Sequence, residues 1–136
     1  MPLVRIDLLH GRTVEQRQRI GDAVHRALVE TIGVPERDRF QLITEHSAAD
    51  LVYDREYLGI RRTDGIVVIQ ITISTGRNAA QKRALFRRIA ENLSELDIRR
   101  EDVWINLVEV AKENWSFGLG LASYAPEVVP AQKVRA

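Results

Sequence analysis

The chain opens Met1-Pro2-Leu3-Val4-Arg5-Ile6-Asp7, and its second residue is the first that could do chemistry. Removal of Met1 would leave Pro2 with a free secondary amine, a base and nucleophile unlike any side chain. A free α-amino group titrates at about pH 7.7–8.0, and a dry pocket or nearby cations push that value toward working pH. Otherwise Pro2 merely starts an edge strand, where its missing N–H does no harm. Arg77 stands just before a helical pattern, where backbone N–H groups already favour an anion, so it could clamp a carboxylate with two parallel hydrogen bonds. Arg12 is its twin earlier in the chain, and either arginine could equally be a solvated turn residue. Asp38 lies between Arg37 and Arg39 and reads as a turn or cap residue, which its twin Asp102 supports. Arg61 and Arg62 fall in a loop and read as solvated. Asn114-Trp115-Ser116-Phe117-Gly118-Leu119-Gly120 sets two aromatics beside two glycines, as in a segment that closes over something apolar or in a piece of core. His10, His25 and His46 lack metal-ligand spacing, His25 lies beside a helical stripe and reads as structural, and no glycine-rich phosphate loop is present.

The elements that must position these residues come as a repeat. Gly11-Arg12-Thr13-Val14-Glu15-Gln16-Arg17 recurs as Gly76-Arg77-Asn78-Ala79-Ala80-Gln81-Lys82, each copy after a strand-like segment and before an amphipathic helix. Val34–Glu45 is likewise echoed by Ile98–Glu109. In the first copy, Val4, Ile6 and Leu8 alternate with Arg5 and Asp7 as in a strand. Thr13 and Gln16 form a capping box, Ile20, Val24, Ala27, Leu28 and Thr31 form the apolar stripe, and Gly33 is the stop. A second strand follows around Phe40–Glu45. In the second copy Ile66–Ile73 reads as a strand, Asn78 with Gln81 caps a helix striped by Leu85, Ile89, Leu93 and Leu96, and Val103–Val110 is the last main strand. A β-α-β crossover makes its two strands parallel. The expected fold is therefore α/β: two tandem β-α-β units forming a four-stranded, mainly parallel sheet with both helices on one face. Repeat one spans about residues 2–46, repeat two about 66–110, and an arm covers 111–136, all within a single domain.

The bare sheet face would carry Leu3, Arg5, Asp7, Val68, Gln70 and Thr72, a set too apolar for water and too polar for a monomer core. Burial in an oligomer is the expectation, with residues 46–65 and 111–136 as arms and lids between protomers. At 136 residues the chain can build a real core, and its net charge of +1 singles out neither nucleic acid nor an anionic membrane as a partner. It has no cysteine, which removes disulfides, thiolate catalysis and cysteine metal sites. No apolar run is long enough to span a bilayer and no signal peptide is visible, so a cytoplasmic location is expected.

Pro2 before a strand, followed by a doubled Gly-Arg-x-x-x-Gln pattern, resembles the tautomerase superfamily, whose β-α-β units carry an amino-terminal proline. Single-unit members such as 4-oxalocrotonate tautomerase resemble the first half, at Pro2, Gly11-Arg12 and Gln16. The doubled length, Val34-Pro35-Glu36-Arg37-Asp38-Arg39-Phe40-Gln41 and Asn114-Trp115-Ser116-Phe117-Gly118 resemble the malonate semialdehyde decarboxylase-like group more closely, over about residues 2–130. The resemblance implies a homotrimer, no cofactor and no metal. It implies a site in which Pro2 is the amino-terminal proline, Asp38 the aspartate, and Arg77 the second of two arginines. The first arginine's position holds Thr75, and the aromatic wall falls on Trp115, Phe117 and Tyr124.

One arginine can hold a carboxylate but leaves less charge for a developing enolate, and removing such a donor costs about 2.7–4 kcal/mol. Tautomerisation of a small 2-keto acid is therefore expected over decarboxylation. Neutral Pro2 would move the proton, Arg77 would bind the substrate carboxylate, and Asp38 would orient a water or the substrate hydroxyl. Trp115, Phe117 and Tyr124 would exclude water. The alternatives are a decarboxylase or hydratase, in which Pro2 stays protonated, and a non-catalytic oligomeric binding protein of the same fold.

Overall fold

A computed structural model describes residues 1–124; the last twelve residues of the expected arm, 125–136, lie outside the described residues. The elements follow in the order β1 (Leu3–Leu9), α1 (Val14–Ile32), β2 (Phe40–His46), β3 (Val67–Ser74), α2 (Ala79–Ser94) and β4 (Val103–Val110). They form two β-α-β units in a sheet of order β2-β1-β3-β4. β1 pairs parallel to β2, β3 pairs parallel to β4, and β1 meets β3 antiparallel at the centre. That central pairing has a consequence for function: it sets the start of β1 beside the end of β3, in the register Leu3↔Thr72. Pro2 is thereby brought to the strand end that leads to Arg77.

Each helix begins where the sequence places a capping box. Thr13 Oγ1 accepts from Gln16 N at 3.1 Å while Gln16 Oε1 accepts from Thr13 N at 2.9 Å, and Asn78 with Gln81 repeats the exchange at 2.8 and 2.9 Å. Such caps are worth about 1 kcal/mol each. The preceding turns bend at Gly11 and Gly76, with φ of 140° and 132°, a conformation that side chains with a Cβ rarely adopt. The repeat is thus preserved in backbone conformation as well as in sequence.

The core lies between the helices and one sheet face. Val4, Ile6 and Leu8 of β1 and Val67, Ile69, Ile71 and Ile73 of β3 are buried against Ile20, Val24, Ala27 and Leu28 of α1 and Leu85, Ile89 and Leu93 of α2. Asn92 is buried between the helices and donates to the carbonyl of Ala23 at 3.1 Å. His25 is buried and pairs through Nε2 with the carbonyl of Glu36 at 2.7 Å, a structural contact. β3 starts one residue later than the alternation predicts, because the Ile66 N–H is taken by the carbonyl of Thr63 in a turn. No helix among the described residues is long and apolar enough to cross a membrane.

The other sheet face is bare. Phe40, Leu42, Trp104 and Val108 are exposed there, around a polar centre in which Gln70 donates to Asn106 at 3.1 Å. The segment between β2 and β3 leaves a groove of about 530 Å³ over Asp7, Val68 and Trp104. Several of its polar groups are paired with their neighbours. His46 holds Asp7 at 2.6 Å, and Arg62 donates to the carbonyls of Asp54, Tyr57 and Ile60.

Candidate active site

A smaller cleft, of about 280 Å³, opens at the start of β1 and is lined by Met1, Pro2, Leu3, Phe40, Trp115, Ser116 and Phe117. Pro2 is buried there. With Met1 present, the chain's terminal amine donates to Tyr124 Oη at 2.9 Å and lies 3.8 Å from Asp38 Oδ2. Removal of Met1 transfers the amine to Pro2, one residue closer to β1.

Asp38 is placed by the entry to β2. Its N–H closes a turn on the carbonyl of Pro35 at 2.9 Å. Just after it, the entry to β2 is tied to α1: Arg39 donates to Asp22 at 2.7 Å, and Gln41 Nε2 donates to the carbonyl of Gly21 at 2.8 Å. This leaves Asp38 Oδ1 buried and without a hydrogen-bond partner. A buried, unsatisfied carboxylate oxygen is costly, and such exceptions concentrate where a ligand or water completes the set.

Arg77 enters from the turn after β3, where its Nη1 donates to the Ser74 carbonyl at 3.3 Å. Ser74 is a hub for this wall, since its hydroxyl also accepts from Trp115 Nε1 at 3.0 Å. Trp115 meets Phe117 at 5.5 Å between ring centroids, and Phe117 meets Tyr124 edge-on at 5.3 Å. The aromatic segment closes on itself: Phe117 N donates to Ser123 Oγ at 2.9 Å and Ser123 N donates to the Trp115 carbonyl at 3.1 Å. Lys112 Nζ lies 5.9 Å from the centroid of the Tyr124 ring.

These surroundings act on the terminal amine. Burial, the largest effect, lowers its pKa below the ordinary value; Asp38 opposes this, while the charges of Arg77 and Lys112 add to it. The arrangement therefore eases loss of the amine's proton, with a carboxylate near it and an apolar wall beside it.

The structure places Pro2, Asp38, Arg77, Trp115, Phe117 and Tyr124 around the start of β1. Thr75, two residues before Arg77, is exposed, and its backbone N–H donates to the Val110 carbonyl at 3.0 Å. Arg12 lies at the opposite end of the central strands, where it donates to the Gly65 carbonyl at 2.8 Å. Phe40 and Lys112 were missed. Phe40 could have been found from register, since it pairs with Leu3 and so shares its face. Lys112 carries no local signal.

Two family models described as tautomerase enzyme match the chain, one over residues 2–61 and the other over residues 38–118. The chain is 42% identical to the probable tautomerase YusQ of Bacillus subtilis (strain 168), over 90% of this chain and 97% of that protein. Among solved structures, it is similar to malonate semialdehyde decarboxylase, with a TM-score of 0.84 and 33% identity over 90% of this chain and 95% of that one. It is also similar to FG41 malonate semialdehyde decarboxylase inhibited by 3-bromopropiolate, with a TM-score of 0.80 and 41% identity over 90% and 93% of the two chains. With its paired β-α-β units, its buried proline and these relatives along nearly its whole length, the chain belongs to the tautomerase superfamily.

Proposed function

We propose that the chain is a tautomerase that interconverts the keto and enol forms of a small 2-keto acid, with Pro2 as acid and base once Met1 is removed. The observation that carries this reading is the pairing of a partly desolvated amine with a buried carboxylate whose Oδ1 has no partner. The neutral Pro2 nitrogen takes a proton from the carbon beside the carbonyl, leaving an enolate. The same proton is returned at the other position, so one group serves both halves of the reaction and needs a pKa near working pH. Arg77 binds the substrate carboxylate. Asp38 Oδ1 accepts from the substrate hydroxyl or from a water. Trp115, Phe117 and Tyr124 keep bulk water away. The bare sheet face, with Phe40 and Trp104 exposed on it, supports assembly as a homotrimer, which light scattering would measure.

The test is turnover of phenylenolpyruvate. Activity should follow the fraction of chains that lack Met1, read by intact mass, and Pro2→Ala should lower it by at least about a hundredfold. Full activity in chains that keep Met1 would overturn the reading. Decarboxylation or hydration of a β-keto acid is a second reading, favoured by the 41% identity to FG41 malonate semialdehyde decarboxylase. It requires a protonated Pro2, which Asp38 would favour. Faster consumption of malonate semialdehyde than of phenylenolpyruvate would select it.

A further inference from the structure

Ser74 ends β3 and is buried, with 3% of its surface exposed. The first repeat has Leu9 in the equivalent place, two residues before Gly11 as Ser74 is two before Gly76, so the strand end itself does not require a hydroxyl. Two acceptors of Ser74 are taken by residues of the candidate site. Its carbonyl accepts from Arg77 Nη1 at 3.3 Å, and its hydroxyl accepts from Trp115 Nε1 at 3.0 Å. An indole N–H can only donate, so its direction follows from where an acceptor stands. Among the described residues, the other hydrogen bonds of the segment Trp115–Tyr124 stay within residues 112–124, apart from the one that Tyr124 Oη accepts from the Met1 amine. Removal of Met1 takes that donor away. The indole bond then remains as the hydrogen-bonded tie between the aromatic wall and the sheet.

In the proposed reaction Arg77 holds the substrate carboxylate and the wall covers the rest of the substrate, and Ser74 is bonded to both. We infer that Ser74 is a positioning residue whose hydroxyl sets the Trp115 indole at a fixed spacing from Arg77, so that the cleft fits a 2-keto acid carrying a flat apolar group. This rests on the proposed use of the cleft for 2-keto acids. Ser74 does not line the cleft, so its side chain acts through the indole. Without the hydroxyl the indole N–H loses its acceptor, and the ring turns away from contact with the ligand. The wall touches the apolar group before and during proton transfer alike. Loosening it therefore raises KM and leaves kcat nearly unchanged.

Binding of cinnamate, a carboxylate conjugated to a phenyl ring, tests this without relying on turnover. Calorimetric titration of the Met1-free protein should find cinnamate bound about fivefold more weakly by Ser74→Ala, the worth of one hydrogen bond. Trp115→Phe, whose ring carries no N–H, should also weaken cinnamate. Adding Ser74→Ala to Trp115→Phe should weaken it no further, because the two residues act as one unit. With phenylenolpyruvate, Ser74→Ala should raise KM by a similar factor and hold kcat within about twofold. A serine that only supports the fold would lower the melting temperature and leave cinnamate binding intact. That result, or a weakening by Ser74→Ala that persists in Trp115→Phe, would overturn the inference. Absence of cinnamate binding by the unmodified protein, or failure of Ser74→Ala to fold, would overturn it too. The proposed tautomerase activity fails by a different sign, unchanged phenylenolpyruvate turnover in Pro2→Ala, so the two failures are distinguishable.

Discussion

The repeat gives the molecule two equivalent strand ends, and they have been put to opposite uses. At one end stand Pro2, Asp38 and Arg77; at the other stand Val67, Asp102 and Arg12. Asp102 is fully buried, and both its oxygens are satisfied by Thr63, from N–H at 2.7 Å and from the hydroxyl at 2.6 Å. Arg12 beside it is tied to the Gly65 carbonyl. Asp38 has an oxygen with no partner, and Arg77 has one long bond to Ser74. The segment running into β3 supplies the difference. It arrives as continuous chain and brings Thr63 and Gly65 to fill the site, whereas β1 begins at the chain terminus and brings an amine. One copy of the constellation is closed into a clasp, and the other is left open for chemistry.

The largest effect expected from breaking this asymmetry is at the arginines. Arg77→Ala should lower kcat/KM for a 2-keto acid by about a hundredfold to a thousandfold, because it removes a charged donor at the substrate. Arg12→Ala should leave kcat/KM within about twofold and lower stability by roughly 1 kcal/mol, the worth of its bond to Gly65. Equal kinetic losses in the two variants would mean that the ends are not functionally distinct.

The aspartates should show the same division between activity and stability. Asp102→Ala strands the Thr63 donors and the Arg12 charge in a buried place, at a cost of about 3 kcal/mol. For a chain of this size that lowers the melting temperature by roughly 10 °C. Asp38→Asn should cost little stability, since it neutralises a carboxylate that is already short of a partner, but should reduce kcat/KM roughly tenfold to a hundredfold through lost positioning. Unfolding curves and initial rates on the same two proteins decide the matter.

Asp38 should also appear in the pH profile. Its charge raises the pKa of the terminal amine, while burial, Arg77 and Lys112 lower it. A catalytic base must be neutral, so kcat/KM rises with pH through that pKa. If Pro2 inherits these surroundings, Asp38→Asn moves the rising limb to lower pH, and Lys112→Met moves it to higher pH. A limb that stays in place in both variants would show that the titrating group is not this amine.

Local signals were enough for the elements, because alternation and capping act over a few residues: Val4, Ile6 and Leu8 face the core, and Thr13 and Asn78 start the helices. The antiparallel meeting of β1 and β3 is a long-range choice that no local pattern encodes. Arg12 and Arg77 therefore look alike in sequence, and only the pairing sends them to opposite ends. Pro2, Asp38, Arg77 and Thr75 are candidate site residues through motif resemblance alone. In the structure Thr75 lies just past β3, exposed, with its N–H bonded to the Val110 carbonyl. Lys112 joins the site through closure of the segment after β4, which composition cannot reveal.

The smallest effect should come from Gly21, where the two repeats differ in packing. Its counterpart in α2 is Phe86, which is partly exposed. A Cβ at Gly21 would lie 2.6 Å from Gln41 Oε1 and 3.3 Å from Arg39 Nη2, the two side chains that follow Asp38 and tie the entry of β2 to α1. Gly21→Ala gains about 1 kcal/mol of helix propensity and loses a similar amount as Gln41 is displaced from the Gly21 carbonyl. Stability should therefore hardly change. Asp38 directly precedes the loosened ties, so kcat/KM should still fall by about twofold to threefold, less than for Asp38→Asn. Full stabilisation by the helix term with no change in rate would show that the tether packs the strand without positioning the carboxylate.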